Sequence, residues 1–252
     1  MRPGEVVWVD ADGLHSVQGL PAGRSALCIF EHVYFARPDS HLGGVAVHAA
    51  RVRMGRRLAQ EAPVDADFVM PIPDSGTPAA IGFAKESGLP YEEGLIKNRY
   101  VGRTFIQPDQ ELRRQGIRLK FNPLEEIAGR RAVIVDDSIV RGNTMRQLVA
   151  MLFDTGAAEV HVRVSSPPVV SPCFYGIDMA DEDQLAAAHR SVEEMRAYIG
   201  ATSLHYLSVE GMQWGTGLDE ESVCRACFTR EYPTRIPDER NLAKLRFERT
   251  PA

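Results

Sequence analysis

The chain has 252 residues, 44% hydrophobic and 25% charged, with a formal net charge of -5 at pH 7. That length can bury one full core with extensions, and that composition excludes a disordered chain. The acidic balance argues against a nucleic-acid partner; no apolar stretch approaches a membrane span, and MRPGEVVWVD lacks the core of a secretory signal, so the expected location is cytoplasmic.

EVVWVD and LHSVQ flank Ala11-Asp12-Gly13, a hairpin turn signal, so residues 5–18 read as two peripheral strands. Apolar and basic residues recur at helical spacing over 45–61, and Pro63 ends the pattern. Residues 68–72 read as a strand, 77–87 as a helix stopped by Gly88, and 91–96 as a second strand. Residues 98–120 are polar and irregular; a stretch of that length is either disordered or a functional lid. Lys97, Arg99, Arg103, Arg113, Arg114, Arg118 and Lys120 gather there, as a solvated loop or as a flap over a polyanion. Residues 131–137 read as a strand, 144–154 as its helix, 159–165 as another strand and 181–199 as a helical region. Alternating strands and helices predict an α/β fold with a doubly wound, mainly parallel sheet.

The strand at 131–137 lies in the run AVIVDDSIVRGNT (132–144). Ala132, Val133, Ile134 and Val135 suit a buried parallel strand, whose far end is where α/β folds bind ligands. Asp136 and Asp137 then stand at that crevice, where adjacent carboxylates accept hydrogen bonds from a vicinal diol or share a divalent cation with it. Ser138, Thr144 and the backbone N–H groups of Ile139, Val140, Arg141, Gly142 and Asn143 lie where a helix dipole favours an anion. Diol acceptors beside an anion nest fit a ribose 5-phosphate. A bare Asp-Asp pair before a capped helix reads as a solvated turn; the whole run argues otherwise.

Between the strand at 68–72 and its helix lies PIPDSGTP (71–78), at the same sheet edge. Its prolines stiffen it, and Gly76 permits close backbone approach. Alone, it reads as a rigid turn with Asp74 or Ser75 as the helix N-cap. Beside the 132–144 run, its amides are placed to hold pyrophosphate and Ser75 to contact a metal ion.

The 132–144 run resembles the 5-phosphoribosyl-1-pyrophosphate (PRPP) signature of type I phosphoribosyltransferases. With PIPDSG (71–76) and KNRYVGRTFI (97–106), it resembles the phosphoribosyltransferase domain of the glutamine PRPP amidotransferase family. The resemblance runs from about residue 3 to about residue 233 and includes EHVYFARPDS (31–40), SSPPVVSPCFYGIDM (165–179) and SVEEMRAYIGA (191–201). It implies the type I fold with a long flexible catalytic loop, and transfer of ammonia to C1 of PRPP, the first committed step of purine synthesis. It also implies Mg²⁺ on Ser75, Asp136 and Asp137, with Lys97, Tyr100 and Arg103 as catalytic residues. Gly76, Arg99, Thr104 and the segment from Asp136 to Thr144 are the implied substrate-binding residues. Leaving pyrophosphate gathers negative charge, which a metal and Lys or Arg stabilise, while a closed lid excludes water. AMP or GMP as feedback inhibitors and a homo-oligomer are carried over with the family.

The family's N-terminal glutaminase domain has no counterpart here. Residues 1–25 are expected as a remnant of that domain or a linker to it, 26–235 as the phosphoribosyltransferase domain, and 236–252 as a charged tail. The chain is then expected to be either a fragment of a longer protein or a standalone one that takes free ammonia or that of a separate glutaminase, and in both cases to hydrolyse no glutamine itself. The rival reading is a PRPP-sensing regulator, yet no helix-turn-helix is evident. A nucleobase transferase needs a base-binding hood, which the lid sequence and the cysteines do not suggest.

Cys28, Cys173, Cys224 and Cys227 are the only cysteines, and a disulfide framework does not suit a large cytoplasmic protein. They read as buried thiols, except that the CxxC pair Cys224 and Cys227 has zinc or redox spacing. The resemblance implies instead that all four ligate a 4Fe-4S cluster with a structural or oxygen-sensing role.

Overall fold

Short runs of Val, Ile, Ala and Phe form the centre of the molecule. The computed structural model describes residues 1–98, 100, 117, 119–179 and 182–236. The chain opens with an antiparallel hairpin, β1 (Glu5–Asp10) and β2 (Gly13–Gln18), as the turn signal predicts. Next come β3 (Leu27–Cys28), a π-helical turn over Glu31–Phe35, and a ribbon of β4 (His41–Leu42) and β5 (Val45–Ala46). The core follows as α1 (Val47–Glu61), β6 (Phe68–Pro71) and α2 (Thr77–Ser87), then β7 (Leu95–Lys97) and β8 (Phe121–Pro123). It continues through β9 (Arg131–Asp136), α3 (Asn143–Asp154), β10 (Glu159–Val164), α4 (Val192–Ile199), β11 (Ser203–Tyr206) and α5 (Val209–Thr216). The described part closes on β12 (Val223–Cys224) and α6 (Ala226–Thr229).

The central sheet has the order β11-β10-β9-β6, with every pairing parallel. Alternate residues of a strand point to opposite faces, and here both faces are buried. Val69, Val133 and Val135 pack with Met54 and Leu58 of α1 and with Ala80 and Phe83 of α2. Phe68, Met70, Ala132 and Ile134 pack with Leu148 and Leu152 of α3 and with Met195 and Ile199 of α4. The expected doubly wound α/β layering is therefore present. On the first face, α1 and α2 touch through glycine: a Cβ on Gly55 would stand 1.9 Å from the Ala79 oxygen, and one on Gly82 2.0 Å from the Val52 oxygen.

Three expectations need correction. Residues 91–96 do not add a strand to the sheet. Val69 exchanges backbone hydrogen bonds with Pro90 and Glu92 at 2.8 and 2.9 Å, and then the chain leaves as β7 to pair antiparallel with β8. Gly94 marks the departure, where a Cβ would meet Met70 Sδ at 2.4 Å. The helical region at 181–199 is broken into 3-10 turns at Glu182–Gln184 and Ala186–Ala188 before α4 begins. The reason is a capping box: Ser191 accepts from the Glu194 N–H, and Glu194 reaches back to Ser191. The helix at 45–61 starts at Val47, because Val45 and Ala46 belong to β5.

Residues 99, 101–116 and 118, most of the expected lid, and the tail from 237 lie outside the described residues. No described helix is long and apolar enough to cross a membrane.

Candidate active site and cysteine cavity

β6 and β9 are parallel neighbours, so the loops after Pro71 and Asp136 leave from one edge of the sheet. The first loop sits directly on the end of β9. The Ile72 N–H donates to the Val135 carbonyl at 2.8 Å and the Gly76 N–H to the Ile72 carbonyl at 3.0 Å. A Cβ on Gly76 would stand 2.3 Å from the Val135 oxygen, so no other residue fits without moving the loop. The Pro73–Asp74 peptide is cis. Gly76 itself, rather than Asp74 or Ser75, is the N-cap of α2, and no side chain caps that helix. Asp74 pairs instead with Lys97, which brings the predicted cation to the loop.

At the end of β9, Asp136 is half-buried and Asp137 buried. The Asp137 N–H donates to Asp136 Oδ1 at 2.9 Å, and the Ser138 hydroxyl donates to Asp137 Oδ2 at 2.6 Å. Burial, and then the charge of Asp137, push the Asp136 carboxyl well above the usual carboxylate range. A cation or a pair of sugar hydroxyls would relieve that crowding.

The predicted phosphate nest divides by role. Ile139 is buried in the core on the α3 face of the sheet, and Val140 packs against the core of the other face, its carbonyl accepting from the Ala186 N–H at 2.9 Å. Their backbones remain to serve a ligand. Gly142, at φ 79° in the left-handed region, is the N-cap of α3, and no side chain caps the first turn. Its N–H groups are open to an anion. Arg141, Asn143 and Thr144 are exposed beside them.

Two side chains escape the sequence reading. Arg51 is buried on α1, donating to the carbonyls of His32 and Ala36, each at 2.8 Å. Burial lowers its pKa, while the charges of Asp137 and Glu31 act against that, so it supplies positive potential behind Asp137. An arginine on the apolar stripe of Val47, Ala50 and Met54 is its one sequence signal. Tyr198 is the other, donating to Asn143 Oδ1 at 2.6 Å.

Not every predicted residue converges. Tyr100 is 99% exposed, with its N–H on Asn98 Oδ1 at 3.0 Å, so in this arrangement it covers nothing. Ser75 is half-buried within the loop. Arg99, Arg103 and Thr104 lie outside the described residues.

A second constellation lies elsewhere. β12 pairs parallel with β3, which sets Cys224 in register with Cys28. The N–H groups of Val170 and Ser171 both donate to the Cys227 carbonyl, at 2.9 and 3.1 Å, which draws in the segment carrying Cys173. All four cysteines are free thiols and line one small cavity with Phe30 and Tyr232. Burial raises the Cys28 and Cys227 thiols, and the neighbouring cysteines raise them further. Among the described residues, no three Cys, His, Asp or Glu side chains converge tightly enough to hold a single metal ion. Four thiols lining one space are a donor set that would suit a larger thiolate-bound group.

Residues 46–166 match the model of the phosphoribosyl transferase domain. The amidophosphoribosyltransferase of Synechococcus elongatus is 54% identical over 249 residues, 98% of this chain and 50% of that protein. That of Mycobacterium bovis is 53% identical, covering 97% of this chain and 47% of that one. A solved structure, glutamine PRPP amidotransferase from B. subtilis complexed with ADP and GMP, matches with a TM-score of 0.82 at 50% identity. That match covers 94% of this chain and 53% of the solved one. The chain thus spans about half the length of the relatives it matches. Signature, fold and likeness agree: the chain has the type I phosphoribosyltransferase fold and belongs, over the half that it spans, to the amidophosphoribosyltransferase family.

Proposed function

We propose that this chain transfers ammonia to C1 of PRPP, releasing pyrophosphate and 5-phosphoribosylamine at the entry to purine synthesis. The observation that carries this is the joint at the end of β9, where Asp136 and Asp137, the open first turn of α3 and the 72–76 loop share one edge.

The 5-phosphate lies against the N–H groups after Gly142, and the ribose hydroxyls donate to Asp136 and Asp137. The diphosphate lies along the 72–76 loop, where Lys97, now paired with Asp74, turns to the leaving group. Ser75, Asp136 and Asp137 would hold Mg²⁺, which supplies charge to stabilise the departing diphosphate. Arg99, Tyr100, Arg103 and Thr104 belong to the lid that excludes water as a competing nucleophile. No covalent protein nucleophile is needed, because ammonia attacks C1 directly. Purine nucleotides such as AMP and GMP use the same nest as inhibitors, a reading supported by the ADP and GMP of the B. subtilis complex.

Nitrogen reaches C1 as ammonia, supplied free or by a glutaminase domain, whether joined to these residues or separate from them. The hairpin supports a partner: Val6, Trp8, Val9, Leu14 and Val17 are exposed on it, a surface suited to docking. A homo-oligomer and a cytoplasmic location complete the proposal. Assaying PRPP consumption with ammonia, with purine bases and with no acceptor tests it. Pyrophosphate release is expected with ammonia. Turnover only with a base would make the chain a nucleobase transferase, and PRPP binding without turnover would make it a regulator. Glutamine hydrolysis by this chain alone would overturn the assignment of the nitrogen source.

Cys28, Cys173, Cys224 and Cys227 would hold the 4Fe-4S cluster, clipping the N-terminal segment and the 223–232 segment to the domain. Protein purified anaerobically is expected to be brown with cluster-type visible absorbance; stoichiometric zinc in that preparation would contradict this.

A further inference from the structure

The Gly142 turn is covered by α4, and one side chain of that helix does more than pack. A Cβ on Gly142 would stand 3.1 Å from Met195 Cε and 3.2 Å from Tyr198 Cε1, so the tyrosine ring lies over the turn. Its hydroxyl donates to Asn143 Oδ1 at 2.6 Å. The ring is itself held: the guanidinium carbons of Arg146 and Arg190 lie 5.3 and 4.7 Å from its centroid, within cation–π range. The capping box at Ser191 and the left-handed Gly200 fix both ends of α4. Tyr198 is thus a rigid donor aimed at one atom of the nest.

That atom decides the chemistry of Asn143. A carboxamide carries one acceptor and two donors, and an anion attracts the nitrogen and repels the oxygen. Asn143 is exposed at the start of α3, where an unrestrained amide would sample both orientations. The Tyr198 hydroxyl occupies the oxygen, which leaves the Nδ2 donors as the free end of the side chain.

We propose that Tyr198 is a positioning residue for the substrate phosphate, holding Asn143 by its oxygen so that Nδ2 donates to the 5-phosphate. This rests on the PRPP reading of the site and deepens it. The phosphate stays unchanged in the reaction, so the interaction is equal in ground and transition states. Its loss belongs in KM rather than kcat. Pre-setting the amide also removes the ordering cost on binding.

The test uses the full chain, with PRPP and ammonia for turnover and ribose 5-phosphate for calorimetric binding. Tyr198→Phe keeps the ring over Gly142 and removes only the hydroxyl. It is expected to raise KM for PRPP and Kd for ribose 5-phosphate about five- to ten-fold, the scale of one net hydrogen bond, with a much smaller change in kcat. Asn143→Ala is expected to give a similar rise, and the double variant little beyond either, because each change removes the same oriented donor. A purely structural tyrosine would lower Tm and add its effect to that of Asn143→Ala. Unchanged Kd in Tyr198→Phe, or full additivity in the double variant, overturns the positioning role. A parent chain that binds neither PRPP nor ribose 5-phosphate overturns the PRPP reading itself and the positioning role with it.

Discussion

Asp137→Asn is expected to abolish phosphoribosyl transfer, by about a hundred-fold or more in kcat/KM, while the fold stays intact. Asparagine has the same shape and keeps an acceptor for the Ser138 hydroxyl, so β9 and its core contacts persist. What disappears is the negative charge of Asp137 beside Asp136 at the end of β9. The same change is expected to stabilise the protein in EDTA at neutral pH. Burial and the Asp137 charge raise the Asp136 carboxyl in the folded chain. Between its unfolded and folded pKa values, the folded state binds more protons than the unfolded one, so stability falls as pH rises through that window. Removing the neighbouring charge narrows the window and recovers part of the loss. Turnover assays and thermal melts at pH 5 and pH 7 check both halves, and the gain in Tm is expected to be larger at pH 7. Near-normal turnover would remove Asp137 from the site.

Gly82→Ala is expected to cost the fold heavily. The added methyl would stand 2.0 Å from the Val52 carbonyl oxygen and 2.9 Å from its carbon, and backbone cannot swing aside as a long side chain does. The two helices must part. Overpacking of this kind costs about 3 kcal/mol, which for a chain near 250 residues lowers Tm by about 6 to 12 °C. α2 opens at the 72–76 loop and α1 carries Arg51, so the separation also reaches the end of β9. Gly176→Ala is the control, since nothing lies within 4 Å of its added methyl. Equal melting of the two variants would show that the crossing is not close-packed.

Much of this was legible where local chemistry and tertiary structure agree. The run 132–135 is apolar and β-branched because β9 is buried on both faces, and its two acids follow where the strand leaves the core. The 71–76 loop was legible through its prolines and glycine. Residues 91–96 misled because a short apolar run carries no sign of its partner, and only β8 shows that it turns away. The start of α4 was written in Ser191 and Glu194, and the apolar residues before it obscured that signal. Arg51, and Tyr198 with its partner 55 residues away, were invisible as functional residues because their meaning lies in contacts distant in sequence. Spacing joined Cys224 to Cys227, but bringing in Cys28 without the resemblance required the parallel pairing of β3 with β12.

The hairpin at residues 5–18 has a consequence for how the molecule opens. Only Glu5, Gly13 and His15 along it are even half-buried, and none of its residues enters either core cluster. Two strands by themselves are marginal in water, held here by one ladder, the stacking of Trp8 on His15 and exposed side-chain hydrogen bonds such as Ser16 to Glu5 and His15 with Asp10. Its amides therefore exchange with solvent through local fraying, on a clock separate from that of β6, β9 and β10, whose amides wait for global unfolding. The chain carries two stabilities, and a melting curve reads only the larger.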